Sequence, residues 1–152
     1  MPYFGVDFMN ILDKIVAHKK TEIASAKQSV SRASLEGSDL FEREVLSFKD
    51  FLLDESRSGI IAEFKRRSPS KGVINDKVSV EEVTTGYASA GASALSVLTD
   101  SEFFMGQKAD LLTARGVNQI PILRKVVMTY EDQVLEAKAL GADIILLIAA
   151  IL

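Results

Sequence analysis

The 152-residue chain has no cysteine. That excludes disulfides, iron–sulfur clusters and thiolate zinc sites, and it fits a reducing cytoplasm. Long hydrophobic runs are also missing. The longest, Ile144 to Leu152, falls far short of the ~20 residues needed to span a bilayer. No basic stretch precedes the apolar residues at the start, so it does not read as a signal peptide. Positive charge is not in excess. A net charge of −3 argues against non-specific binding to nucleic acid or to an anionic membrane. Gly-x-Gly-x-x-Gly, Walker, His-Glu-x-x-His and EF-hand patterns are absent. The single histidine, His18, falls on the polar side of a predicted helix and reads as an ordinary solvated residue. These absences leave a soluble, cytoplasmic protein whose partner is neither nucleic acid nor membrane.

What is present suits one α/β domain with a real core. Ile11, Leu12, Ile15, Val16 and Ile23 recur at helical spacing and predict a helix over 11–28. Phe41, Val45, Phe48, Phe51 and Leu52 predict another over 40–54, with the polar segment 29–39 as a loop. Four short apolar runs follow at 60–65, 94–99, 122–125 and 144–148, and helical stretches near 79–90, 108–117 and 130–140 fill the gaps. Strand–helix alternation of this kind gives βαβ units and a parallel sheet. The runs start 34, 28 and 22 residues apart (60, 94, 122, 144). A (β/α)8 barrel uses about 31 residues per unit. Gly91-Ala92 and Gly141-Ala142 each stand after a predicted helix and before a predicted strand, as a helix C-cap and tight turn require. A doubly wound sheet would show the same echo.

The segment Ile60-Ile-Ala-Glu-Phe-Lys-Arg-Arg-Ser-Pro-Ser-Lys-Gly72 carries the most chemistry. Residues i and i+2 share a strand face, so Glu63 and Lys65 project together. Opposite charges on one side of a buried strand are costly unless something polar waits there. They form either an ion pair fixing the strand end or part of an active site, since strand C-terminal ends face the site in such barrels. Lys125 ends the third strand and is expected to enter the same cavity. The basic, hydroxyl-rich loop 66–72 suits an anionic or phosphorylated ligand, or is simply solvated. Phe103, Phe104 and Met105 follow the second strand and suit either an apolar wall for an aromatic ring or packing between units.

Taken together these segments resemble indole-3-glycerol phosphate synthase. Ile61-Ala-Glu-Phe-Lys-Arg-Arg-Ser-Pro-Ser is similar to that family's first-strand signature, which is highly specific. Ile11-Leu-Asp-Lys-Ile-Val, Gly91-Ala-Ser-Ala-Leu-Ser-Val-Leu-Thr-Asp, Phe103-Phe104-x-Gly106, Pro121-Ile-Leu-Arg-Lys and 140–152 match the opening helix and the next three strands. The resemblance implies a (β/α)8 TIM barrel, with residues 1–59 as an N-terminal extension and helices and 60–152 as the first four strands. It implies a decarboxylating carbon–carbon lyase of tryptophan biosynthesis acting on a small phosphorylated substrate, with no metal or organic cofactor. Lys125 would be the general acid, Glu63 the partner that orients and tunes the lysines, and Lys65 a substrate-binding cation active in later proton transfers. Phe104 and Leu146 would line the pocket for the anthranilate ring, and Ser68 would belong to the loop closing over it.

Two departures from the family pattern carry expectations of their own. The family continues its third strand as Lys-Asp-Phe, whereas here Lys125 is followed by Val126 and Val127. That removes a carboxylate beside the acid and an aromatic that packs on the substrate ring, and either change is of a kind that weakens activity. The chain also stops after four expected strands, so it reads as the N-terminal half of a synthase, without turnover alone. Measurable product formation by it would overturn that expectation. The alternatives are a half-barrel pairing with a second copy or a separately encoded second half, a related phosphoribosyl isomerase-type barrel, and a decayed gene product. Met9-Asn-Ile-Leu resembles a usual family start, leaving 1–8 as an extension or a native segment near the substrate.

Overall fold

The computed structural model describes residues 10–152; the alternative starts at Met1 and Met9 lie outside the described residues. Helix α1 (Ile11–Ser29) opens with a capping box. The Asn10 side chain accepts from the Asp13 N–H and the Asp13 carboxylate accepts from the Asn10 N–H. It buries Ile15, Lys19 and Ile23 on one face.

The next stretch differs from the sequence reading. The expected loop holds a short helix, α2 (Arg32–Glu36), capped by Ser31 and closed at Gly37. The helix expected over 40–54 shrinks to α3 (Phe48–Leu53), with turns at 40–42 and irregular backbone at 44–47. Tertiary bonds override local propensity here. The Arg43 guanidinium and the Leu46 N–H both bind Asp143, about a hundred residues on.

From there the strands and helices alternate. Strand β1 (Ile61–Phe64) leads into a small hairpin, β2 (Arg67–Ser68) and β3 (Gly72–Val73), and then α4 (Val80–Ser89). Strand β4 (Ala94–Leu98) is followed by the single turn α5 (Ser101–Phe104) and by α6 (Lys108–Val117). Strand β5 (Ile122–Lys125), α7 (Asp132–Ala139), β6 (Ile144–Ile145) and a 3-10 turn (Ala149–Ile151) complete the described chain. Three expected strands are trimmed, so Lys65, Thr99 and Leu146 lie just past β1, β4 and β6.

All four main strands are parallel, in the order β1-β4-β5-β6. A doubly wound sheet reverses its order at a switch point. The order of the described strands is strictly sequential and shows no such reversal. Phe64, Leu95, Val97 and Ile122 from one sheet face join Val80, Leu111, Ala114 and Ala137 of α4, α6 and α7 in one core. The opposite face is left for Glu63, Ser96, Leu123 and Lys125. Gly91 (φ 92°) and Gly141 (φ 87°) both take the left-handed conformation directly after α4 and α7, the turn their sequence echo predicts. Among the described residues no helix is long and apolar enough to cross a membrane.

Candidate active site

The sheet register assembles the charged cluster. Glu63 pairs in register with Ser96, and Ser96 with Leu123. Two residues further along the same face stand Lys65, Leu98 and Lys125, with Leu98 opposite Lys125. One Glu63 oxygen lies 3.0 Å from Lys65 Nζ. The other lies 3.5 Å from Lys125 Nζ and accepts from Ser96 Oγ at 3.2 Å. One carboxylate thus bridges two ammonium groups from strands two places apart, leaving the group with a net positive charge.

Burial pushes the Glu63 carboxyl up, but the Lys65 hydrogen bond, the Lys125 charge and the Ser96 hydroxyl outweigh it and hold the group below its ordinary pKa. The sign follows. The stabilisation is present above the unfolded carboxylate pKa and is lost as pH falls through the lower folded value. Carbon-13 NMR titration of the Glu63 carboxyl is therefore expected to give a midpoint below the usual value of about 4.3. Lys125→Met is expected to raise it. A midpoint at or above the usual value in the wild-type chain would mean the two ammoniums do not act on Glu63.

Lys125 also stands on the wall of an apolar cavity of about 190 Å³. Phe104 and Leu146 line it together with Val126 and Val127, and Ile11, Leu12 and Ile15 of α1 form its roof. An apolar cavity of roughly 150 Å³ is enough to take a benzene ring. Lys125 is the residue common to the polar cluster and the cavity, so a ring held here presents its substituents to an ammonium group.

The remaining sequence candidates scatter. Ser68 is buried in the β2–β3 hairpin, where its hydroxyl accepts from the Lys71 N–H at 3.2 Å, and it does not line the cavity. Arg66, read as part of a loop for anionic ligands, is committed to structure. Its guanidinium forks onto Asp110 at 2.5 and 3.0 Å and reaches the Met105 carbonyl at 3.2 Å. Arg67 and Lys71 remain exposed. Of the two aromatics after β4, Phe104 faces the cavity while Phe103 packs edge-on against His18, 5.7 Å between ring centroids.

A profile of the indole-3-glycerol phosphate synthase family matches residues 12–152. The chain belongs to that family. Proteins named indole-3-glycerol phosphate synthase resemble it over 94% of its length, that of Bacteroides thetaiotaomicron at 46% identity and that of Laribacter hongkongensis at 42%. That of Bordetella pertussis is 40% identical over the same share of the chain. The chain spans about half the length of these relatives, 55–56%. The family fold is a (β/α)8 barrel, and the four sequential parallel strands are a part of one.

Against this synthase framework, sequence reasoning missed two contributors to the site. Ser96 carried a usable signal, since it lies two residues before Leu98 on the strand face that the charged residues share. The roof of α1 was legible only as an amphipathic stripe, because nothing local says which end of the sheet such a stripe covers.

Proposed function

We propose that this chain supplies the ring-binding and proton-donating part of an indole-3-glycerol phosphate synthase in the cytoplasm. The reaction converts 1-(2-carboxyphenylamino)-1-deoxyribulose 5-phosphate to indole-3-glycerol phosphate, carbon dioxide and water. The observation that carries the reading is the double membership of Lys125, 3.5 Å from Glu63 and on the wall of the cavity with Phe104 and Leu146.

The anthranilate ring fills the apolar cavity. Its carboxylate-bearing carbon bonds to the ribulose carbonyl carbon, and the carbonyl oxygen takes a proton from Lys125. A positioned acid of this kind contributes roughly 10²–10⁴ in rate. The carboxylate leaves as carbon dioxide, its bonding electrons restoring the ring's aromaticity. The hydroxyl then leaves as water with the loss of a further proton. Glu63, held ionised, orients both ammoniums. Lys65 attracts the anionic substrate and serves in the later proton transfers, and Ser68 belongs to the hairpin that closes over the site. Acid, base and cation chemistry suffices for each step, so no metal or organic cofactor is assigned.

The chain has no tryptophan, so the fluorescence of the substrate's own anthranilate ring reports binding cleanly. A titration is expected to saturate. Phe104→Ala is expected to weaken binding about three- to tenfold, the worth of one aromatic contact. No saturable binding, or equal affinity in the variant, would contradict the proposal.

A further inference from the structure

Lys19 is a lysine with 1% of its surface exposed, set between Ile15 and Ile23 on the inner face of α1. Its Nζ lies 2.7 Å from Glu22 Oε2 and 3.0 Å from Asp100 Oδ2. Asp100 is 2% exposed. Its other oxygen, Oδ1, accepts from the Phe103 N–H at 2.8 Å and so caps α5, the turn that ends in Phe104. Asp100 also borders the apolar cavity, next to Ile15. Asp100 Oδ2 accepts no hydrogen bond from any other group, so without Lys19 that oxygen would be left with nothing.

An ion pair this deep is a poor way to gain stability. Desolvating both charges offsets most of their attraction, and apolar residues of the same volume often do as well or better. What the pair does supply is a fixed relation between two elements. It joins the roof of the cavity, α1, to the loop that aims Phe104 into it. We infer that Lys19 is a positioning residue for the aromatic-ring site. Through Asp100 it locks α1 over the cavity and sets Phe104 against the ring. This rests on the reading that the cavity takes the anthranilate ring. Lys19 itself does not line the cavity, so it acts through Asp100 and α1 alone.

Two variants test it. Asp100→Asn removes the charge while keeping an oxygen to cap α5. Lys19→Met/Asp100→Asn removes both charges and keeps the lysine's apolar bulk. Each is compared with the wild-type chain by melting temperature, by amide hydrogen exchange across Leu12–Ile23, and by fluorescence titration with 1-(2-carboxyphenylamino)-1-deoxyribulose 5-phosphate. In the double variant the melting temperature is expected to stay within a few degrees of wild type. Exchange in α1 is expected to quicken about tenfold in both variants, and affinity to fall about tenfold. Wild-type exchange rates in both variants would overturn the inference whatever the affinity. A wild-type chain that fails to bind the compound would overturn the ring-site reading instead, and the exchange rates would still decide whether Lys19 fixes α1.

Discussion

Lys125→Met is expected to slow indole-3-glycerol phosphate formation roughly 10²–10⁴-fold. The setting is a chimera in which this chain replaces the matching 55% of the Bacteroides thetaiotaomicron relative. Methionine keeps most of the lysine's length and its apolar stem, so the cavity wall survives. Only the proposed proton donor, which is also one of Glu63's two cationic partners, is lost. Glu63 still has Lys65 at 3.0 Å and Ser96 at 3.2 Å, so it stays ionised and in place. The effect should therefore fall on kcat with little change in KM, as for an interaction made mainly in the transition state. A variant within threefold of the parent chimera would assign the acid to another group. An unchanged kcat with a raised KM would make Lys125 a binding residue.

The largest loss of stability is expected at Asp143. Its carboxylate is wholly buried and gathers four donors. Arg43 Nη2 and Arg115 Nη1 bind at 2.7 Å each, the Leu46 N–H at 2.8 Å and the Ile122 N–H at 2.9 Å. This one side chain ties the segment before α3, helix α6 and strand β5 to the start of β6. Burial already holds the Arg115 guanidinium below its ordinary pKa, with Asp143's charge opposing that and Arg43's adding to it. Asp143→Ala leaves that guanidinium buried without its counter-charge and orphans two backbone N–H groups. Breaking a buried pair from one side costs about 3–5 kcal/mol, a large part of the 5–15 kcal/mol typical of a whole domain. Urea unfolding checks it. The exposed pair Arg32–Glu36 gives the contrast: Arg32→Ala should leave the unfolding midpoint almost unchanged. A comparable small loss at Asp143 would mean that water or a rearranged Arg115 replaces its contacts.

Legibility in the sequence followed the range of the interactions involved. Helix 108–117 and strand 122–125 were read to the residue, because capping and apolar period are local signals. The meeting of Glu63, Lys65 and Lys125 was also legible. It needed only the two-residue period of a strand and the rule that polar strand ends gather at one end of a parallel sheet. Helix α2 was missed although Ser31 and Gly37 flank it as cap residues. The helix expected over 40–54 failed for a different reason. Its apolar stripe is real, but Arg43 and the Leu46 backbone are worth more to Asp143 than to a helical turn. No local pattern announces a partner so far along the chain. Lys19 hid in the same way. A lysine on a helix reads as solvated until Asp100, 81 positions later, is folded beneath it. Arg66 met neither of the two readings left open for its loop, ligand-binding or solvated, because a basic loop looks the same when its charge meets, as here, Asp110.

One NMR titration tests most directly whether the polar cluster and the cavity form a single site. The methyl groups of Val126, Val127 and Leu146 and the carboxyl of Glu63 are followed as 1-(2-carboxyphenylamino)-1-deoxyribulose 5-phosphate is added. A shared site predicts that all four move along one binding curve. Methyl shifts with Glu63 unmoved would separate the ring pocket from the charged cluster. Shifts confined to Val134 and Leu147, which line a different cavity beyond β6, would place binding elsewhere and contradict it outright.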